Sequence, residues 1–143
     1  KDLKILDVLY ANSDWPVRKV AKFTQLPITT VHNRIIKLKK TGVIQKYTIV
    51  PDYKKLDKSF VAYILISADL KYLKKQNKSQ YDLVKELKKF YFIERIDIVS
   101  GGTDMVAIVR VKDVEEFDKI LLQKMQNIEG IQKTQSMIVI HQG

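Results

Sequence analysis

The chain has 143 residues, with 26 Lys and Arg against 16 Asp and Glu for a formal net charge of +10; 45% of residues are apolar, 29% are charged, and there is no cysteine. That length suits one domain or two small ones, and the composition excludes collagen-like or low-complexity chains, disulfide scaffolds, thiolate metal sites and cysteine nucleophiles. With His32 and His141 as the only histidines, a zinc or His-centred catalytic site has little to build on. The longest apolar runs, Phe60 to Ile66 and Met105 to Val109, fall short of the roughly 20 residues that cross a bilayer, and no signal peptide is visible. A cytoplasmic protein without cofactor, metal or enzymatic activity is expected.

Charge is unevenly spread. Residues 1–58 hold 13 Lys and Arg with 5 Asp and Glu, a balance of +8, while residues 59–143 hold 13 and 11, a balance of +2. A basic unit joined to a nearly neutral one reads as a polyanion-binding module followed by a module with another task. A lysine-rich solubilising surface is the plainer alternative.

In chain order, Asp2 to Tyr10 places Leu3, Ile5, Leu6, Val8, Leu9 and Tyr10 on a wide apolar stripe, a short helix. Val17 to Phe23 is a second, with Val17, Val20 and Ala21 on one side. Pro27, suited to a first helical turn, opens a longer third helix to Thr41 carrying Val31, Ile35 and Leu38 at spacings of four and three, and Gly42 ends it. Val43 to Val50 is β-rich and partly alternating, so a strand or ribbon is expected there. Pro51 and Asp52 stop it, and the charged stretch to Lys58 reads as a linker. The expected division is therefore a basic helical domain over residues 1–50, a linker over 51–58 and a second domain over 59–143.

Beyond the linker the period changes. Phe60 to Ala68 reads as a strand, Leu70 to Ser79 as a solvated loop, and Ser79 to Phe90 as a helix burying Leu83, Val84, Leu87 and Phe90. Ile93 to Ser100 and Met105 to Val111 are strands around a Gly101-Gly102 turn. Asp113 caps a helix bearing Phe117, Ile120 and Leu121, with Glu116 at the capping-box position; Gly130 ends it, and Gln135 to Ile140 is the last strand. The order βαββαβ is that of a ferredoxin-like sandwich, an α+β fold. Its strands are apolar on both parities, although two helices can cover only one sheet face. A second copy of the same sheet is the simplest cover for the other face, so a homodimer is expected.

A helix that reads DNA needs an anchoring apolar stripe and an opposite face of short polar and cationic side chains. Pro27 to Thr41 supplies both. Thr29, Thr30 and Asn33 have base-reading length, His32 can meet a base edge or a phosphate, and Arg34, Lys37, Lys39 and Lys40 have the reach for phosphates, joined by Arg18 and Lys19 of the preceding helix. An ordinary solvated helix face is the alternative, and the short preceding helix, the tight turn and the local charge count against it. Trp15 reads as a packing lid, Tyr47 and Tyr53 as structural ribbon residues, and His141 as without a role.

Several segments, in this order, carry a resemblance: Asp2-Leu3-Lys4-Ile5-Leu6, Val20-Ala21, Thr30-Val31-x-Asn33-Arg34-Ile35-x-x-Leu38-x-x-x-Gly42-Val43-Ile44, Tyr47, Ser100-Gly101-Gly102-Thr103-Asp104 and Met137-Ile138-Val139. Together they resemble the Lrp/AsnC (feast/famine) transcriptional regulators over essentially the whole chain. The resemblance implies a winged or ribbon-bearing helix-turn-helix, a C-terminal ligand-sensing (RAM) domain, dimers that often build octamers, duplex DNA as partner and an amino acid as effector. It implies an effector site at Ser100, Gly101, Gly102, Thr103 and Asp104, completed by Thr134, Gln135 and Ser136 from a neighbouring subunit. The loop chemistry suits this, since glycine N–H groups fit a carboxylate and Asp104 an α-ammonium, although a plain hairpin turn would need the two glycines as well. One departure stands out: where the family usually has Gly-Leu-Ser before the third helix, this chain has Gln25-Leu26-Pro27, and a glutamine at positive φ costs on the order of 1 kcal/mol. Two further readings compete: an architectural DNA protein with little sequence preference, and a siroheme-decarboxylase-like enzyme on the same scaffold. The second is poorly served by a sensing domain holding only His141, Arg95 and Arg110 and no paired carboxylates in a cleft.

Overall fold

The computed structural model describes residues 1–143, which divide into two units, Lys1–Pro51 and Asp52–Gly143. In the first, α1 (Asp2–Ala11), α2 (Val17–Thr24) and α3 (Ile28–Lys40) close over one core. Ile5, Val8 and Leu9 meet Val20 and Ala21 of α2 and Val31 and Ile35 of α3, with Trp15, Val17, Leu26 and Ile44 packed around them. Thr24 is fully buried and places its hydroxyl by donating to the Val20 carbonyl at 2.7 Å. The turn between α2 and α3 sets Gln25 at φ 58° and ψ 35°, the left-handed conformation that glycine would adopt without strain. Pro27 then occupies the N-cap of α3 without a side-chain cap, and Gly42 at φ 79° releases the chain from it.

The expected strand over Val43 to Val50 is not formed. The segment holds no ladder, and most of it is exposed. A strand needs a partner, and a unit whose other elements are three helices offers none. Ile44 alone turns inward, its N–H donating to the Leu38 carbonyl at 3.0 Å.

The second unit is an antiparallel sheet in the order β2-β3-β1-β4, built from β1 (Phe60–Ala68), β2 (Ile93–Ile98), β3 (Met105–Val111) and β4 (Ile131–Ile138). Alternate residues of the central strands, Ala62, Ile64, Ile66 and Ala68 of β1 with Met105, Ala107, Val109 and Val111 of β3, form the core with α4 (Leu70–Lys75), α5 (Gln80–Leu87) and α6 (Val114–Ile120). The opposite parity is the open face: Tyr63 pairs across to Ile108 and to Met137, and Leu65 to Val106 and Gln135. Both parities are apolar because both faces of these strands carry apolar side chains, and the chain's own helices cover only one of them.

Three local expectations are corrected. Residues 70–79 are not all loop: Asp69 accepts from the Tyr72 N–H at 3.1 Å and starts α4, whose Leu73 is buried. The last strand runs from Ile131 to Ile138 rather than 135 to 140, because pairing to β1 begins at Ile131 opposite Ala68. Asp113 does cap α6, accepting from the Glu116 N–H at 2.9 Å, but the Glu116 carboxylate turns instead to the Lys112 N–H at 2.7 Å and the Tyr91 hydroxyl at 2.8 Å. The segment read as a linker makes turns that attach to β3: the Arg110 guanidinium lies 3.7 Å from the Tyr53 ring centre, and Lys112 is 3.5 Å from Asp57.

Candidate functional site

The outer face of α3 follows from its inner one. At about 100° per residue, anchoring Val31, Ile35 and Leu38 in the core turns Thr29, Asn33, Lys37 and Lys40 to the opposite side. All four are exposed, as is His32 on one flank, while Thr30 sits half-buried on the other. Ile28–Lys40 contains no acidic residue and ends in Lys37, Lys39 and Lys40, so a polyanion meets no repulsion along it.

The remaining candidates for DNA are sorted by their partners. Arg34 is half-buried and 3.5 Å from Asp2, a contact that ties α3 to the first turn of α1. Lys19 is exposed with its ammonium 4.3 Å above the Trp15 ring, which in turn meets Phe23 edge-on at 5.6 Å. Trp15 is thus a packing residue that also holds Lys19, and Arg18 is exposed beside it without an ion-pair partner. Tyr47 takes the Lys39 ammonium over its ring at 5.0 Å. Sequence reasoning misses Ile36, which is 49% exposed on the same side as Asn33 and Lys40; an apolar side chain there suits a thymine methyl group. A signal for it exists, since Ile36 falls off the spacing that buries Ile35 and Leu38.

In the second unit, a hollow of about 310 Å³ is lined by Leu65, Ser67, Gly102, Thr103, Lys133 and Gln135. The loop behind it is stapled to the end of β1. The Thr103 hydroxyl and the Asp104 N–H both donate to the Ile66 carbonyl, at 2.9 and 3.1 Å, and Asp104 Oδ2 accepts from the Ala68 N–H at 2.8 Å. Gly101 has φ 145°, and a Cβ on Gly101 or Gly102 would meet nothing within 4 Å, so the loop backbone is open on its outer side. Of the expected effector residues, Gly102, Thr103 and Gln135 meet in the hollow. Ser100 and Gly101 stand outside its lining, Asp104 commits one carboxylate oxygen to β1, and Thr134 and Ser136 pair with Ile66 and Ile64 and so share the helix-covered face. Lys133, two residues before Gln135, is absent from the expected set because a strand begun at Gln135 leaves its alternation unread.

The family pattern described as the Lrp/AsnC ligand binding domain matches residues 61–142, and that described as winged helix-turn-helix DNA-binding matches residues 1–45. The chain belongs to the Lrp/AsnC family. Among its relatives, the HTH-type transcriptional regulator FL11 of Pyrococcus furiosus is 33% identical, over 97% of this chain and 87% of that protein. Among solved structures, E. coli AsnC superposes with a TM-score of 0.85 at 22% identity, covering 99% of this chain and 91% of the other. The Neisseria meningitidis regulator NMB0573, solved as a complex with L-Met, superposes with a TM-score of 0.89 at 20% identity, covering 98% and 88%. This Lrp/AsnC protein is accordingly a DNA-binding transcriptional regulator whose second unit is the family's ligand-binding domain.

Proposed function

We propose that this regulator binds duplex DNA as a dimer, each copy laying α3 in a major groove, with Thr29, Asn33 and Ile36 at base edges and Lys37, Lys40 and Arg18 on phosphates. The observation that carries this reading is the division of α3 into a core-anchored stripe and an exposed, acid-free polar face. Two copies are supported by the open sheet face, where Tyr63, Ile108 and Met137 form an apolar row that no element of the chain covers. Tyr63 and Met137 are 40% and 46% exposed there, a cost that burial against a second sheet removes.

The effector in this reading is a free amino acid seated in the hollow beside Gly102. The Lys133 ammonium and the Gly102 N–H serve its carboxylate, Gln135 adds a hydrogen bond, and Leu65 offers an apolar wall. The Asp104 oxygen not used by Ala68 is the group available to the α-ammonium. The complex of the Neisseria protein with L-Met supports an amino acid as the class. Binding regulates only in so far as it differs between two states of the protein.

Calorimetry against the twenty amino acids, on the wild type and on Lys133→Ala, checks the effector site: one or a few should bind, at least about tenfold more weakly without Lys133, since a hydrogen bond to a charged group is worth about 1.5–3 kcal/mol. No binding by any amino acid, or binding indifferent to Lys133, removes the site. For DNA, competition between a selected site and random duplex decides. A protein with no preference would be an architectural binder.

A further inference from the structure

The charges of the second unit are segregated. Residues 70–90, which hold α4, α5 and their turns, carry seven lysines against only Asp82 and Glu86. The α6 region reverses the balance, with Asp113, Glu115, Glu116 and Asp118 against Lys119 and Lys124. All three helices pack on the same face of the sheet through Leu73, Leu83, Leu87, Phe117 and Ile120. A surface that serves only solubility intersperses the two signs, and this one does not.

The lysines are also free. All seven are exposed and none forms an ion pair, whereas the ion pairs of this unit are made by Arg95, Arg110 and Lys112. The acids nearest them form no ion pair with them, Asp82 accepting from the Ser79 N–H at 2.8 Å and Glu129 from the Tyr72 hydroxyl, and are too few to balance seven lysines. Burying Leu73 turns Lys71 and Lys75 outward, and burying Leu83 and Leu87 does the same for Lys85, while Lys88 and Lys89 lie exposed in the turn that follows α5. Lys74 and Lys78 line the hollow of about 330 Å³ between α4 and the start of α5. Lysines four apart on a helix stand about 6 Å apart along its axis, and phosphates on one DNA strand recur about every 3.4 Å of duplex axis. Lys71 and Lys75 on α4 are therefore spaced on the scale of successive backbone phosphates.

We propose that the α4–α5 face is a second, sequence-independent binding surface for duplex DNA, holding backbone phosphates outside the site that α3 reads. The proposal rests on the DNA-binding reading above and extends it to the ligand-binding unit. A second copy's α6 fits less well, because its four acids, Asp113, Glu115, Glu116 and Asp118, stand beside Lys119 and cannot balance seven lysines.

The test uses the full chain and a duplex with at least one extra helical turn on each side of a selected site. Affinity is measured against salt for the wild type, for a variant with Lys71, Lys75, Lys85 and Lys89 all changed to Gln, and for one with the same four changed to Arg. The Gln variant should lower the salt slope by about 2 to 4 units, at about 0.9 for each phosphate that is no longer neutralised. It should keep its sequence preference, and the Arg variant should restore the slope. Folding of the Gln variant is checked by its thermal midpoint, and should it fail to fold, charge removal by lysine acetylation mapped to these positions gives the same reading on the native chain. A slope equal to wild type overturns the proposal, as does an intact slope with an altered oligomeric state, which would make the face a protein interface. If the wild type binds no duplex at all, the DNA-binding reading itself fails, and Asn33→Ala separates the two, since it should lose preference without changing this slope.

Discussion

The two units solve the problem of function on a fold in opposite ways. The first closes its core with a few side chains from three short helices, and the face it leaves for work is the exposed side of α3. The second builds a larger core on a four-stranded sheet and still leaves an apolar face open and a glycine loop free of side-chain load. In the small unit, fold and function share one helix, and damage to either reaches both. In the larger one, the hollow beside Gly102 sits on a loop and two strand ends, apart from the helix-covered core.

Removing equal matter from each core is the strongest way to break this contrast. Ile5→Ala and Ile64→Ala each delete a fully buried side chain and should each cost about 2–5 kcal/mol. In a unit with so small a core that loss should bring the amides of α1, α2 and α3 close to unfolded-chain exchange, while those of β1 and β3 stay protected in Ile64→Ala. The reverse order of protection would show that core size is not what separates the units.

Gly130→Ala probes the larger unit at its tightest point. Gly130 has φ 101°, and a Cβ there would stand 2.9 Å from Leu73 Cδ2. Strain and displacement together should cost about 1–3 kcal/mol, read as a lower denaturant midpoint with an unchanged slope. An unchanged midpoint would mean that α4 shifts freely to make room.

The small unit carries its own strain at Gln25, and Gln25→Gly should raise its stability by up to about 1 kcal/mol by relieving φ 58°. A loss instead would show that the glutamine side chain contributes more than its backbone costs.

The smallest effect is electrostatic. Hydrogen bonds from the Ser79 N–H and then its hydroxyl hold the Asp82 carboxyl below its ordinary value. A depressed carboxyl stabilises above the ordinary carboxylate range and loses that contribution as pH falls through its folded value. Asp82→Asn should therefore lower the second unit's stability slightly at neutral pH and leave it little changed in acid, flattening the acid limb of its profile, as pH-dependent melting would report.

The same contrast explains what is legible in the sequence. The helices of the first unit and the strands of the second announce themselves through periods of 3.6 and 2, and Gln25 through its place between two helical patterns. Val43 to Val50 has the composition of a strand, but a strand is a property of two segments and no partner lies in this chain. α4 is hard to see because six residues with one buried leucine carry almost no period, and its lysines read as solvent-loving loop. The contact of Arg34 with Asp2 is invisible in the sequence because the two stand 32 positions apart and become adjacent only once α1 packs on α3. At the hollow beside Gly102, a β4 begun four residues late hides the alternation that puts Lys133 with Gln135 and sends Thr134 and Ser136 to the other face.

The claim that the exposed stripe of α3 reads base sequence is tested most directly by selecting sites from a random duplex library with the wild type and with Asn33→Ala side by side. The account predicts a defined wild-type motif and, for Asn33→Ala, a motif relaxed at one or two positions by about 1–3 kcal/mol each with the rest intact. A motif unchanged at every position, with affinity lowered evenly across all duplexes, would contradict it and make Asn33 a ligand of the DNA backbone.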